Sequence, residues 1–72
     1  MPKSNAYLIQ QEIPDHLRHQ SKPSLAEAKL TAQAWAREYP GHAADVFRLR
    51  ANADADHVYT IFINPATVTG HV

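Results

Sequence analysis

The spacing of apolar residues changes along the chain between a period typical of strands and one typical of helices, and these changes mark the predicted elements. Residues 6–11 are rich in β-forming side chains and predict a strand. Within residues 45–50, apolar and polar side chains alternate from Phe47 onwards, which is typical of a strand with one buried face. Residues 58–63 are apolar on both faces and predict a third strand, and the Asn- and Asp-rich residues 51–56 predict a hairpin turn before it.

Residues 25–39 predict one helix. Ser24 and Glu27 have the spacing of a capping box, in which each side chain satisfies an unpaired backbone N–H at the helix start. Alanines and other strong helix formers fill the segment, and Pro40-Gly41 ends it. One side of the helical wheel carries the residues expected to cover a sheet: Leu25, Ala28, Ala32, Trp35, Ala36 and Tyr39.

This order of elements predicts an α+β domain, β-α-β-β, with a three-stranded sheet and one helix packed on one face. The third strand is the most apolar, so we place it in the middle, which gives the order 1-3-2 with parallel edge strands. Residues 12–23 are expected to form a long connection. Residues 1–72 are expected to form a single domain, with an ordered core at about residues 5–64 and a frayed tail at 65–72.

Two registers of the hairpin place different side chains under the helix. A five-residue loop at 52–56 pairs Phe47 with Ile61, and a four-residue loop pairs Phe47 with Thr60. We favour the first, because it groups Phe47 and Leu49 in the core, and a slip of one residue inverts a whole strand. The sheet face away from the helix then carries the predicted partner-binding residues: Val46, Arg48, Arg50, Val58, Thr60 and Phe62.

Composition limits the classes of function. A 72-residue chain buries only about 60% of its unfolded surface, so such a domain usually needs a disulfide, a metal or a partner subunit. The chain has no cysteine, which excludes disulfides and thiolate metal sites. Seven basic side chains balance seven acidic ones, which disfavours nucleic acid as the main partner. Without a long apolar run or an export signal, we expect no membrane contact and a cytoplasmic location.

Few side chains are placed for chemistry. His16 and His19 have a spacing that brings two ligands together on a helical turn, but a tight metal site needs three or four ligands. The others would have to come from His42, His57 or Asp56. No phosphate-binding loop or nucleophile motif is present. We therefore expect a protein without enzymatic activity or cofactor, with His16 and His19 as weak metal candidates only.

The strand Tyr7-Leu8-Ile9, the helix start at residues 24–29 and the hairpin at 46–63 together resemble small uncharacterised bacterial and phage proteins. Some anti-CRISPR proteins have this compact strand–helix–strand–strand layout. The resemblance covers residues 6–63, and it implies a phage or mobile-element protein that inhibits by binding.

We therefore expect a small protein-binding module that covers a partner protein or forms a homodimer. A second helix stripe is a secondary contact candidate: Leu30, Ala34 and Arg37. Two alternatives stay open. In one, the open sheet binds single-stranded nucleic acid, with Phe62 stacking on bases and Arg48 and Arg50 contacting phosphates. In the other, the chain is a homo-oligomeric subunit with a histidine metal site.

Overall fold

The computed structural model describes residues 6–50 and 54–65. These residues form β1 (Ala6–Glu12), β2 (Leu17–Lys22), α1 (Leu25–Glu38), β3 (Ala44–Leu49) and β4 (Ala55–Ile61). The strands make one antiparallel sheet in the order β2-β1-β3-β4. The small α+β fold is therefore confirmed, whereas the prediction of three strands is wrong. Of the predicted tail at 65–72, only Pro65 belongs to the described residues.

The additional strand, β2, lies in residues 12–23, where the sequence predicted a connection. Its residues are mostly polar, and pairing with β1 along its whole length holds it as a strand. A tight turn closes this hairpin, because the Ile13 N–H donates to the His16 carbonyl at 2.9 Å. Pro14 and Asp15 occupy the centre of the turn, where proline restricts the backbone through its fixed φ.

The predicted strand order 1-3-2 is wrong. β1 and β3 are the central strands and pair antiparallel, with Ile9 opposite Val46. Among the described strands, β4 lies at the edge and pairs with β3. An edge position suits β4, because the strand begins at Ala55 and so includes Asp56 and His57, two polar residues that lie outside the predicted strand at 58–63. Helix α1 connects β2 to β3, which lie on either side of β1 and run parallel to each other.

The hairpin of β3 and β4 has neither of the two predicted registers. Val46 pairs with Tyr59 and Phe47 pairs with His57, which leaves Val58 as the extra residue of a β-bulge. The side chains of β3 therefore point the opposite way from the prediction. Val46 is fully buried in the core beneath α1, and Phe47 lies on the other face of the sheet.

Helix α1 begins where the sequence predicted and packs its predicted side against the sheet. Ser24 is the N-cap, and its Oγ accepts a hydrogen bond from the Glu27 N–H at 3.2 Å. The fully buried core cluster consists of Ile9, Ala28, Ala32, Ala44 and Val46, and Tyr7, Leu25, Trp35, Tyr59 and Ile61 pack partly buried against it.

The alanines of this helix stripe explain why β3 is inverted. Ala28, Ala32 and Ala36 have no exposed surface, so the helix backbone lies close to the sheet. The small side chains of Ala44 and Val46 fit below it, whereas a phenylalanine there would force the helix outwards. No helix in the described part of the chain has the length and apolar character that a membrane span requires.

One buried polar residue, Gln11, joins β1 to the end of the helix. Gln11 is 1% exposed, and its Nε2 donates to the carbonyls of Trp35 at 3.0 Å and His42 at 2.9 Å. Its Oε1 accepts from Arg18 Nε at 2.9 Å and Nη2 at 2.7 Å. The Arg18 guanidinium also lies over the Trp35 ring, 4.3 Å from its centroid, and 3.1 Å from the Glu38 carboxylate. Every polar atom of the Gln11 amide thus has a partner.

An ion-pair cluster holds the turn end of the β3–β4 hairpin. Arg50 Nε donates to Asp56 Oδ2 at 2.7 Å, and Arg48 Nη2 donates to the same oxygen at 3.2 Å. The hydrogen bonds from Arg50 and then Arg48 lower the pKa of Asp56 below its ordinary value of 3.8. The ionised carboxylate is therefore favoured by folding.

We expect the contribution of Asp56 to stability to disappear in acid. Because the pKa of Asp56 is lowered in the folded state, its ion pairs stabilise the fold above pH 3.8, and this contribution is lost as the pH falls through the folded-state value. Asp56→Asn removes it at every pH. Thermal unfolding followed by circular dichroism should show a Tm difference between wild type and variant that shrinks from about pH 6 to about pH 3. A difference that stays constant over this range would contradict the assignment.

Candidate functional site

The sheet has one face covered by α1 and one face that no described helix or strand covers. We call the second one the open face. Cross-strand partners point to the same side of a sheet, so the register assigns its members. They are Ala6, Leu8, Gln10 and Glu12 of β1, Leu17, His19 and Ser21 of β2, Asp45, Phe47 and Leu49 of β3, and Ala55, His57 and Thr60 of β4.

One end of the open face is apolar. Leu8 and Phe47 are cross-strand partners on the two central strands, and the pair Ala6 and Leu49 lies next to them. The Phe47 ring contacts the ring of His57, with centroids 5.4 Å apart. Leu8, Phe47 and Leu49 are half-buried by their neighbours within the sheet. This end therefore presents a contiguous apolar patch on the most firmly held strands.

The next row along the strands is polar, and its residues Asp45 and Thr60 form a hydrogen-bonded cluster with His57, which lies in the row of Phe47. Thr60 Oγ1 donates to Asp45 Oδ1 at 2.6 Å, and His57 Nε2 lies 3.4 Å from the same carboxylate oxygen. His57 Nε2 also makes a close hydrogen bond with Thr60 Oγ1. Gln10 is the cross-strand partner of Asp45, and His19 is the partner of Gln10, so a polar row crosses all four strands.

The direction of the hydrogen bonds in this cluster suits ligand recognition better than nucleophilic catalysis. A catalytic hydroxyl gives its proton to a histidine, which a carboxylate orients from the other ring nitrogen. Here Thr60 gives its proton to Asp45, and its oxygen is left to accept the Nε2–H of His57. The cluster therefore holds the polar end in one arrangement and offers a carboxylate to a hydrogen-bond donor.

A shallow depression of about 600 Å³ lies where the open face meets the β1–β2 turn and the segment before β3. Its lining is mixed: Gln10, Glu12, Ile13, Pro14, Leu17, Gly41, His42, Ala43 and Asp45. The His42 Nδ1 is 2.8 Å from the Glu12 carbonyl, which fixes one wall. The depression continues the polar row of Gln10 and Asp45, so it belongs to the same surface.

The structure separates the residues predicted to form a partner-binding surface. Placing Val46 on that surface is wrong, because Val46 is fully buried under α1. Placing Arg48 there is also wrong, because it pairs with Tyr7 on the helix side and binds Asp56. Arg50 is exposed and binds the same carboxylate. The three others are exposed on or beside β4: Val58 in the bulge, Thr60 in the polar cluster and Phe62, 56% exposed, just after the strand.

The secondary helix stripe and the two histidines lie apart from the apolar end of the open face. Leu30, Ala34 and Arg37 are exposed on α1, and Leu30 is 64% exposed. His16 lies in the β1–β2 turn and His19 in β2, so the helical turn that would bring both together does not form. In the described ranges, no group of three or more His, Cys, Asp or Glu residues is arranged to hold a metal ion.

Sequence reasoning missed the central members of the open face. Phe47 and Leu49 are the large apolar residues of their strand, and size alone favoured them for the core. Asp45 was not predicted as a site residue. The favoured register pairs it with a residue three positions beyond Thr60, which is its actual partner. The alanine stripe of the helix was the signal that could have indicated the correct face of β3, because a helix that lies close to a sheet leaves room only for small side chains beneath it.

Comparison with protein-family models, curated proteins and solved structures finds no match for this chain.

Proposed function

We propose that this protein is a small, non-enzymatic protein-binding module that acts through its open face. The observation that carries this proposal is the apolar patch of Leu8, Phe47 and Leu49, which no described element covers. One helix shields one side of a sheet, so among the described residues nothing covers the other side, which is available to another chain. An apolar centre beside a polar row is the composition of a protein-protein interface.

The distribution of charge supports a protein partner over single-stranded nucleic acid. The cationic residues of the described strands are Arg18, Lys22 and Arg48, and all three lie on the helix side, by contact with Trp35 or by pairing with Tyr7. The open face carries Glu12 and Asp45 instead. A nucleic-acid surface needs cations near its stacking aromatic groups, and carboxylates there repel phosphates.

The resemblance to small phage inhibitors is compatible with the same surface. An inhibitor of this kind covers part of a larger protein and needs a firm, partly apolar face of its own. On the basis of that resemblance, the proposal extends to a phage or mobile-element inhibitor.

Site-specific photo-crosslinking in the source cells tests the proposal. A photoreactive phenylalanine analogue replaces Phe62, beside the open face, or Leu30, on the outer side of α1, as the matched control. We expect a discrete crosslinked protein from position 62 that disappears when Phe47→Asp is added, and none from position 30. Crosslinks from position 30 alone would move the site to the helix stripe. The absence of a product at both positions would overturn the proposal.

A further inference from the structure

We infer that the open face binds a second copy of this chain, with the two faces packed about a two-fold axis that runs parallel to the strands. This inference rests on the protein-binding function proposed above and names the partner. It follows from the way polarity is distributed over the open face.

The open face is divided across the strands into an apolar end and a polar end. Leu8 and Phe47 form the centre of one row, with Ser21 and His57 on the outer strands, and Ala6, Leu49 and Ala55 form the next row at the apolar end. Gln10, Asp45, His19 and Thr60 form the row on the other side of Leu8 and Phe47, and beyond that row Glu12 lies beside Leu17, which is 51% exposed. Two copies bind well only if apolar rows meet apolar rows and each polar group meets a complementary one.

A two-fold axis parallel to the strands satisfies this condition. It keeps each row opposite the same row and places β1 opposite β3 of the second copy. Leu8 then lies against Phe47 of the second copy, twice by symmetry. Gln10, an amide donor, lies opposite Asp45 of the second copy, which has a carboxylate to accept its hydrogen bond.

The outer strands are complementary in the same arrangement. The axis places β2 opposite β4 of the second copy. His19 then meets Thr60 of the second copy, next to the Asp45 carboxylate that Thr60 holds. A histidine N–H therefore finds an acceptor on the facing sheet.

The other face-to-face arrangement, with the axis across the strands, fails on polarity. When this axis lies between the two central rows it reverses them, so that Phe47 lies against Asp45 of the second copy and Leu8 against Gln10. Burying a carboxylate against an aromatic ring without a donor is costly. Edge-to-edge pairing is disfavoured as well, because the bulge at Val58 interrupts β4 and β2 carries Arg18 and Lys22.

The area of the open face determines how tightly the two copies are expected to bind. Strands lie about 4.8 Å apart and rise about 3.3 Å per residue, so four strands of this length present roughly 300–400 Å² in projection. A standard interface buries about 800 Å² of each partner. The whole face, with Phe62 at its edge, is needed for binding, and we expect a dimer that dissociates on dilution.

Sedimentation velocity of the full chain over a wide concentration range tests self-association. We expect the wild type to change from monomer to dimer as concentration rises, and Phe47→Asp to stay monomeric at the highest concentration. Leu30→Asp introduces the same charge at an exposed apolar residue of the helix and should behave like the wild type. A wild type that is monomeric throughout overturns the inference, and so does a dimer that Leu30→Asp disrupts and Phe47→Asp does not.

Single-cysteine variants test the direction of the axis, because the natural chain has no cysteine. Leu8→Cys mixed with Phe47→Cys should react efficiently with a short bifunctional maleimide to give the mixed dimer. Leu8→Cys mixed with Gln10→Cys should give little. The reverse preference overturns the proposed axis. If the chain is monomeric yet position 62 still crosslinks to a different protein in cells, the inference fails and the proposed function stands.

Discussion

Val46→Asp should abolish cooperative folding, whereas Phe47→Asp should leave the domain folded. The two residues are neighbours in β3, but Val46 is fully buried among Ile9, Ala28 and Ala32. A carboxylate there has no partner, and burying it costs several kcal/mol, comparable with the whole stability of so small a domain. Phe47 lies on the open face, where we expect its substitution to cost no more than about 2 kcal/mol.

Far-ultraviolet circular dichroism and urea unfolding of both variants measure this difference. The two substitutions lie at neighbouring positions of one strand and introduce the same charge, so the main difference between them is the face of the sheet on which each lies. If Phe47→Asp unfolds the protein and Val46→Asp does not, β3 has the inverted orientation that the sequence first indicated. The open face would then be composed differently, and the binding proposals would fail with it.

Gln11→Leu should destabilise the domain by roughly 2–4 kcal/mol. The leucine side chain fills a similar volume but leaves the His42 carbonyl without its Gln11 donor and the Arg18 guanidinium without its Gln11 acceptor. The Trp35 carbonyl loses one of two donors, since the Tyr39 N–H still reaches it at 3.0 Å. Each buried polar group left unsatisfied costs about 1–3 kcal/mol.

Urea denaturation of Gln11→Leu beside Gln20→Leu provides the measurement and its control. Gln20 is exposed on β2, so its substitution should change the unfolding free energy by no more than about 0.5 kcal/mol. Gln11→Glu separates the two halves of the network, because it still accepts from Arg18 but cannot donate to the carbonyls. We expect Gln11→Glu to be destabilising as well. Equal unfolding midpoints for Gln11→Leu and Gln20→Leu would show that the network contributes nothing.

Gln11 also illustrates a kind of residue that pattern analysis overlooks. In the sequence it follows Gln10 and looks like the polar end of a strand, yet one of these neighbours is fully buried and the other is on the open face. Its burial depends on partners 7 to 31 residues away along the chain. No local window contains that information.

The helix was the part of the fold that local sequence could specify. Ser24, Glu27 and the alanine stripe act over one or a few turns, so the helix start and its buried side follow from neighbouring residues. Residues 6–11 and 45–50 were likewise recognised as strand-forming from composition and alternation. Their positions in the sheet were not.

Strand β2 and the orientation of β3 were decided by tertiary structure. The polar residues of β2 have little strand preference, and their backbone hydrogen bonds to β1 supply what the side chains lack. On β3 both faces carry apolar side chains, so alternation alone leaves two orientations of similar merit. The close approach of an alanine-lined helix selects the face with Ala44 and Val46, and it is this choice that leaves Phe47 and Leu49 on the open face.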